Sequence, residues 1–402
     1  MKNYFQAFKM AIFTTACFFA PITFYAQIGS SSISVSGQVF EDVNNNGIKD
    51  ANEPGIKDAA ISDQLNVVVT DRNGFYQISC KNQNRIVFVS VPSGYKSQGL
   101  FYKQLKNEPL SQTADFPLIN IPVQNEFVFI HASDTHISEK SIDRIQKLKN
   151  KIDSIKPNFV LVTGDLVKDA LRVSEKEAMG YYNLYKQEMG KIKTTVWNIP
   201  GNHEIFGIER HLSLVSKDNP YYGIKMYHHF LGPDYYSFNY NGVHFIGLNS
   251  LSFDDLYYYG YIDSTQTEWL KNDIALIDPQ TPIVTFQHVP FYSGGFGLNK
   301  FEMLGLDRTV ENVKGKLQNR HIVSNASEIM KILSKKNYPL ALAGHYHAQQ
   351  KFSWYAVQTR FEQTGAVIGP ANVELFNLPS GISVYRVKNG KVDDGKFVEL
   401  DK

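Results

Sequence analysis

The sequence predicts an α/β domain preceded by a small all-β sandwich, and three observations carry that reading. Residues from about 31 to 123 run as short, alternating apolar–polar stretches with no helical period between them. From Glu126 onward, apolar strand runs alternate with amphipathic helical runs. Those later strand runs end, one after another, in Asp, Asn and His, residue types that suit divalent cations. The chain has 402 residues, 43% hydrophobic and 13% aromatic, enough to bury a large core in two or three domains. Its 41 Lys and Arg nearly balance its 39 Asp and Glu, so no charge excess calls for nucleic acid or an anionic membrane.

Residues 1–26 read as a secretory signal peptide. Lys2 and Lys9 make a positive start, Met10–Tyr25 is uncharged and mostly apolar, and Ala26 offers a cleavage point before Gln27. The apolar run is shorter than the roughly 20 residues that a membrane span prefers, so the expected location is secreted, periplasmic or cell-surface. No later segment reads as a span. A lipoprotein is the weaker reading: the stretch before Thr14-Thr15-Ala16-Cys17 is too short for a lipid-attachment box. Loss of Cys17 with the signal would leave Cys80, which permits no internal disulfide and reads as a packed small hydrophobe.

The β-rich module spans residues 31–123. Ile33–Phe40, Val67–Thr70 and Ile86–Val91 read as strands, and Asp71-Arg72-Asn73-Gly74 as a hairpin turn. Between the first two strands lies Asp42-Val43-Asn44-Asn45-Asn46-Gly47-Ile48-Lys49-Asp50-Ala51-Asn52-Glu53. Oxygen side chains stand at loop positions 1, 3, 5, 9 and 12, with Gly at 6, which is the spacing of a calcium loop. Asp42, Asn44, Asn46, Asp50 and Glu53 would ligate Ca2+ through side chains and Ile48 through its carbonyl. The flanks read as strands, so this is a calcium loop without helices. The plainer alternative is a surface turn that binds nothing.

The α/β domain spans residues 126–402. Phe127–Ala132 reads as a buried strand ending in Asp134-Thr135-His136. A helix over Ser141–Lys156 is predicted by Ile142, Ile145, Leu148, Ile152 and Ile155, with Pro157 as its stop. Strand Phe159–Val162 leads to Thr163-Gly164-Asp165, and Ser174-x-x-Glu177 opens a helix as a capping box. Thr194–Ile199 leads to Gly201-Asn202-His203-Glu204. Two strands pair around Asn241-Gly242, Thr265-x-x-Glu268 caps the helix of Trp269 and Leu270, and Ile283–Phe286 leads to His288. Asn325-x-x-Glu328 starts the helix of Ile329 and Leu333, and Leu340–Ala343 ends in Gly344-His345-Tyr346-His347. Strands near Gly365–Ile368 and Ile382–Val387, with a turn at Asn389-Gly390, close the chain.

Open α/β sheets place ligands beyond the C-terminal ends of their strands, so Asp134, His136, Asp165, Asn202, His203, His288, His345 and His347 can converge. Taken singly, each has a bland explanation as a hydrogen-bonded turn residue; together they form a nitrogen–oxygen donor set without thiolate. They are too many for one ion with room for substrate, and a pair of cations sharing a carboxylate divides them sensibly. Gly164, Gly201 and Gly344 would let the backbone turn tightly beside the ligands.

This motif series resembles that of the calcineurin-like metallophosphoesterases: Asp134-x-His136, Gly164-Asp165, Gly201-Asn202-His203-Glu204, His288 and Gly344-His345-x-His347 match in order and type. Gly37–Asp42, the calcium-type loop and Thr70–Tyr76 are similar to β-sandwich modules that precede such domains in secreted bacterial proteins, and to adhesin repeats. The resemblance implies a two-sheet αββα sandwich. It also implies that Asp134, His136, Asp165 and His347 hold one metal, with Asp165 bridging to a second held by Asn202, His288 and His345. His203 is implied as a non-ligand histidine beside the phosphoryl oxygens, acting on the equatorial oxygens or the leaving group, while a metal-bridging hydroxide attacks phosphorus in line. Purple acid phosphatases carry Tyr three residues after the bridging Asp. Lys168 stands there in this chain, so a tyrosinate-ligated iron is not expected and a pair drawn from Mn, Fe or Zn is.

The expected activity is hydrolysis of a phosphate ester on a small molecule or lipid headgroup, with diesters slightly preferred. The alternatives are a phosphomonoesterase, and a surface-binding protein whose phosphoesterase domain is a non-catalytic scaffold. Loops Tyr221–His229 and Ser293–Arg320 would overhang the site. They and their flank offer His228, His229, Arg308 and His321 as candidate substrate contacts, each with solvated surface as its plainer explanation. Tyr257-Tyr258-Tyr259 offers a stacking surface or ordinary packing.

Overall fold

The alternation in the first 90 described residues folds into two β-sheets. The computed structural model describes residues 32–294, 310–373 and 376–402. One sheet orders Phe75–Cys80, Ile33–Glu41, Phe116–Asn120 and Tyr95–Ser97, with Ser111–Thr113 also paired to Ile33–Glu41; the other orders Val67–Val69, Ala60–Ser62, Ile86–Ser90 and Tyr102–Gln104. Along Phe75–Cys80, Tyr76, Ile78 and Cys80 turn inward and the residues between them outward, the two-residue period of a half-buried strand. Burial and the nearby Asp63 push the Cys80 thiol up to about 12, which fits a packed, unreactive cysteine. Asp71-Arg72-Asn73-Gly74 does form a turn, closed by Gly74 N–H on the Asp71 carbonyl at 3.0 Å. It is not a hairpin, because the strands on either side of it belong to different sheets. It is a corner where the chain crosses the sandwich.

Ile86–Ser90 breaks the alternation and is buried at every residue. The second layer on it is the α/β domain: Phe88 meets the Trp269 ring edge-on at 6.3 Å, and Ser90 Oγ lies 2.8 Å from Ser237 Oγ. Gln64 reaches across as well, donating to Asp234 Oδ1 at 2.9 Å while accepting the Tyr235 hydroxyl at its carbonyl. The sandwich therefore shares one continuous apolar core with much of the α/β domain, while a second apolar cluster lies wholly within the α/β domain.

Two six-stranded sheets form the centre of the rest, with three two-stranded ribbons beside them. In the first sheet, Thr195–Ile199, Phe159–Thr163 and Glu126–Ala132 run parallel, followed by antiparallel Gly381–Lys388, which pairs antiparallel with both Lys391–Val392 and Lys396–Glu399. In the second, Val243–Leu248, Ile283–Gln287, Leu340–Ala343 and Arg360–Gln363 run parallel, with antiparallel Tyr236–Tyr240 and Gln350–Phe352 at its edges. Successive residues divide between the faces. Phe129, Phe159 and Leu161 join Phe238, Phe245 and Phe286 between the sheets, while Ile130, Val160 and Val162 pack under helices Ile142–Ile155 and Glu175–Met189. Ser264–Ala275 and Ala326–Leu333 cover the other sheet. The layers are αββα. No helix among the described residues is long and apolar enough to cross a membrane.

Helix starts follow side-chain chemistry more closely than motif spacing. Ser174 caps as expected, its side chain accepting from Glu177 N–H. Helix Ser264–Ala275 begins earlier than Thr265, because Asp263 takes the cap by accepting from Gln266 N–H at 2.8 Å. Asn325 starts its helix without capping it, since its amide clasps both backbone groups of Ile262. Residues 365–368 are not a strand. Their pairing is spent elsewhere: Val367 N–H and Ile368 N–H donate to the Ser133 and Asp134 carbonyls, which pins the turn that carries Asp134.

Trp269 is fully buried between Phe88 of the sandwich and Tyr235 of the α/β domain. Trp269→Ala should cost about 3–5 kcal/mol. Because the core is continuous, calorimetry should show a single transition moved to lower temperature; a separate early transition for the β-sandwich would contradict the shared core.

Candidate metal centre

Parallel strands from both sheets deliver their C-terminal ends to one place. Glu126–Ala132 leads to Asp134 and His136, Phe159–Thr163 to Asp165, and Thr195–Ile199 to Asn202 and His203. Ile283–Gln287 and Leu340–Ala343, from the second sheet, lead to His288 and to His345 and His347. The turns are stitched together through backbone: Asp134 N–H to the Gly164 carbonyl at 3.0 Å, His136 N–H to the Asp165 carbonyl at 2.9 Å, and Gly344 N–H to the His288 carbonyl at 3.0 Å.

The side chains fall into two groups that share Asp165. His136 Nε2 and His347 Nε2 are 3.3 Å apart, and Asp134 Oδ1 lies 3.2 Å from His347 Nε2. On the other side, His288 Nε2 lies 3.2 Å from Asn202 Oδ1, 3.0 Å from His345 Nδ1 and 3.3 Å from Asp165 Oδ1. The second oxygen, Asp165 Oδ2, faces His136 Nε2 at 3.6 Å. Donor atoms held about 2.0–2.2 Å from one ion stand about 3–3.5 Å from each other, so these spacings are the edges of two coordination shells. The residues fit a pair of cations.

Holding the donors there strains the backbone. Asp134, His136, Asp165, His345 and His347 all have positive φ, between 38° and 74°, at a cost of about 1 kcal/mol or more each. Gly164 also has positive φ, at 76°. Gly201 and Gly344 answer a different demand, close approach. A Cβ on Gly201 would stand 2.3 Å from Asp165 Oδ1, and one on Gly344 would stand 1.8 Å from Ser133 Oγ.

Electrostatics explains why the cluster wants a cation. Burial alone would raise the Asp134 and Asp165 carboxyls, but the imidazoles outweigh it. His347 and His288 hold Asp134 down, His288 and His203 hold Asp165 down, and both acids lie well below the usual range. Against its own burial, His288 is pushed up to about 9 by Asp165 and Asp134. Burial takes His136 down to about 4, and burial with His288 and His321 alongside takes His345 well below its ordinary value. A proton on His288 is the smallest positive charge that answers two buried carboxylates, and divalent cations answer them more fully.

His203 joins His136 and Asp165 in a third group of donor atoms that lie within 4.8 Å of one another, more loosely than the contacts above. Its Nδ1 donates to the Lys168 carbonyl at 2.6 Å, and its ring meets His136 edge-on at 4.5 Å. That bond fixes the proton on Nδ1 and turns Nε2 toward the centre, 3.9 Å from Asp165 Oδ2. The Lys168 side chain points elsewhere, over the Tyr181 ring.

Glu204 is a site residue that motif reading passed over as part of a tetrapeptide. It is fully buried and accepts Leu166 N–H, Val167 N–H and Gly201 N–H at 2.8, 2.9 and 2.6 Å, locking the Asp165 turn to the Asn202 turn. Burial and the Asp165 charge push its carboxyl up to about 8.

The expected overhang is only partly realised. His228 is buried and bonded to Asp234 Oδ1 at 2.8 Å, so it is structural and makes no substrate contact. His229 is exposed, beside Tyr221. Arg308 lies outside the described residues. His321 does reach the centre, against His345. Tyr258 is packed rather than presented, with the Arg320 guanidinium over its ring at 4.3 Å. Asn249 donates to Asp234 Oδ2 at 2.8 Å, a role that a carboxylate at 249 would reverse into repulsion.

The Asp42–Glu53 loop curls as its spacing predicted. The Asp42 carboxylate accepts Asn46 N–H and Gly47 N–H at 3.1 and 2.8 Å, Asn44 Oδ1 accepts Asn46 N–H, and Asn46 Oδ1 accepts Ile48 N–H. Glu53 accepts Val43 N–H and Asp50 N–H. Asp50 Oδ2 accepts both asparagine amides, at 2.7 and 2.9 Å. A strand, Ile33–Glu41, leads into the loop where a helix usually would.

The αββα sandwich thus gathers His and Asp at strand ends from both sheets, in groups that could hold metal ions. Comparison with known proteins gives the family. Residues 127–349 match the profile of the calcineurin-like phosphoesterases, and residues 43–120 match that of the N-terminal domain of calcineurin-like phosphoesterase. The chain belongs to the calcineurin-like phosphoesterase family. A curated relative, the probable purple acid phosphatase 20 of Arabidopsis thaliana, is 30% identical over 139 residues, which take in 33% of this chain and only 26% of that protein. Two solved structures are similar at 13% identity and a TM-score of 0.43. One is a dimetal phosphatase from Danio rerio, with 70% of this chain and 100% of that one covered. The other is the anchor in the inner membrane complex of Plasmodium, with 69% and 85% covered.

Proposed function

We propose that the protein is an exported, dinuclear-metal-dependent phosphoesterase that hydrolyses a phosphate ester of a small molecule or lipid headgroup, with diesters preferred slightly over monoesters. The observation that carries this reading is the Asp165 carboxylate, whose two oxygens face His288 and His136 in separate donor groups. Asp134, His136, His347 and one Asp165 oxygen would hold one ion; the other oxygen, with Asn202, His288 and His345, would hold the second. The donor set, rich in imidazole and without thiolate, suits Mn, Fe or Zn. Such a pair, when bound, supplies a water-derived nucleophile near neutral pH and neutralises phosphate charge.

The chain's own residues do the remaining work. Glu204 and the stitched turns keep the donors rigid, so little reorganisation is needed as charge develops. The Lys168 carbonyl holds His203 with Nε2 toward the centre. In its protonated form, His203 would donate from Nε2 to a phosphoryl oxygen or to the departing oxygen. Export is supported by the apolar run of residues 10–25 behind Lys2 and Lys9.

Purified protein loaded with Mn2+ should hydrolyse bis(p-nitrophenyl) phosphate, and p-nitrophenyl phosphate somewhat more slowly. A stronger monoester activity would reverse the preference. Absence of both activities in protein that holds metal would favour a non-catalytic, surface-binding role. His203→Ala should lower kcat by about 10²–10⁴-fold while metal content stays unchanged; wild-type turnover would remove His203 from the mechanism.

We further propose that the Asp42–Glu53 loop binds Ca2+ as a structural ion, supported by its ligand spacing and curled backbone. Millimolar Ca2+ should raise the melting temperature of the wild type and leave that of Asp50→Ala unmoved. An equal shift in both would place the effect elsewhere.

A further inference from the structure

We propose that His321 is the positioning residue of the second metal site, holding the His345 imidazole so that Nδ1 is its ligand atom. This rests on the reading above that His345 is a ligand. His321 Nδ1 lies 2.7 Å from His345 Nε2, and the two rings meet end to end, their planes 29° apart and their centroids 4.9 Å from each other.

The proton positions follow from the bonding pattern. His288 Nδ1 must donate to the Thr163 carbonyl, 2.8 Å away, so Nε2 is the atom His288 turns to the centre. His345 Nδ1 stands 3.0 Å from that Nε2 and is the ring atom that shares the donor group. A neutral imidazole that ligates through Nδ1 carries its proton on Nε2. The atom facing that proton is His321 Nδ1, which accepts it. The contact therefore selects the tautomer of His345 and sets its ring angle, as partners behind metal-bound histidines do. For His288 the same task falls to a backbone carbonyl; for His345 it falls to another side chain.

His321 is built to be a fixed acceptor. Asn319 Oδ1 accepts His321 N–H at 2.8 Å and Ile322 N–H at 3.2 Å, while Asn319 N–H donates to Ser324 Oγ at 2.7 Å. Val323 N–H and Ser324 N–H then tie the segment to the Pro290 and Gly260 carbonyls. One residue earlier, the Arg320 guanidinium sits over the Tyr258 ring. The segment after strand Lys316–Asn319 is thereby anchored to the turn that follows His288 and to the edge of Tyr257–Gly260.

The test separates the acceptor from the packing. His321→Asn keeps an acceptor oxygen at the place of Nδ1 and removes most of the ring. His321→Phe keeps an aromatic ring at the position and removes the acceptor, and His321→Leu serves as a second acceptor-free variant should the Phe protein not fold. Calorimetric titration of metal-free protein with Mn2+ alone should show two sites in the wild type. In His321→Phe one site should weaken by about 10–100-fold while the other is unchanged, and His321→Asn should stay near the wild type. Tight binding of both ions by His321→Phe, or weakening in His321→Asn as large as in His321→Phe, would overturn the proposal. His345→Ala is the control on the underlying reading. Loss of one site there, beside unaltered His321 variants, would leave the metal centre standing and remove only the role of His321. Two unaltered sites in His345→Ala would show instead that His345 is no ligand.

Discussion

Two carboxylates, Asp134 and Asp165, are buried at the seam between the sheets, and the surrounding structure is arranged around keeping them charged there. An isolated buried carboxylate would take up a proton. These two are instead held low by imidazoles from strand ends of both sheets. The arrangement requires the two sheets to end in register, the turns to be cross-bonded, and ligand residues to accept positive φ. Glu204 ties the Asp165 and Asn202 turns from beneath, and residues 367 and 368 hold the Asp134 turn from the flank. The strain is concentrated where the donors are, as expected for a preorganised site.

The N-terminal sandwich belongs to the same physical unit. Its strand Ile86–Ser90 is buried on both faces because one face completes the α/β domain. The polar bonds across that seam, Gln64 with Asp234 and Ser90 with Ser237, are buried and partnered, which fixes register as well as adding stability. Asp234 also bonds His228 and Asn249, so one carboxylate joins the sandwich, a helix of the α/β domain and the end of a strand.

Much of this was legible in the sequence because its signals are local. Strand runs that end in Asp-x-His, Gly-Asp, Gly-Asn-His and Gly-His-x-His declare both the sheet and the chemistry at its edge, and the calcium-type loop declares its own curl. What escaped was set by tertiary partners. Asp263 displaced Thr265 as a cap because its carboxylate reaches Gln266 N–H, and Asn325 gave up capping to clasp Ile262. Residues 365–368 looked like a strand because they are apolar, yet their N–H groups are spent on the Asp134 turn. His228 looked like a surface histidine until Asp234 buried it. His321 was legible only as one of several loop histidines, since nothing in its neighbours along the chain names His345 as its partner.

The central claim is that strand ends from both sheets hold two cations across Asp165. X-ray absorption at the Mn edge of the reconstituted protein tests it most directly. The account predicts nitrogen and oxygen scatterers only, about 2.0–2.2 Å from the metal, with a metal–metal shell at about 3.5–4 Å that disappears in Asp165→Ala. A spectrum with no metal–metal shell in the fully loaded wild type, or one that survives unchanged in Asp165→Ala, would contradict it.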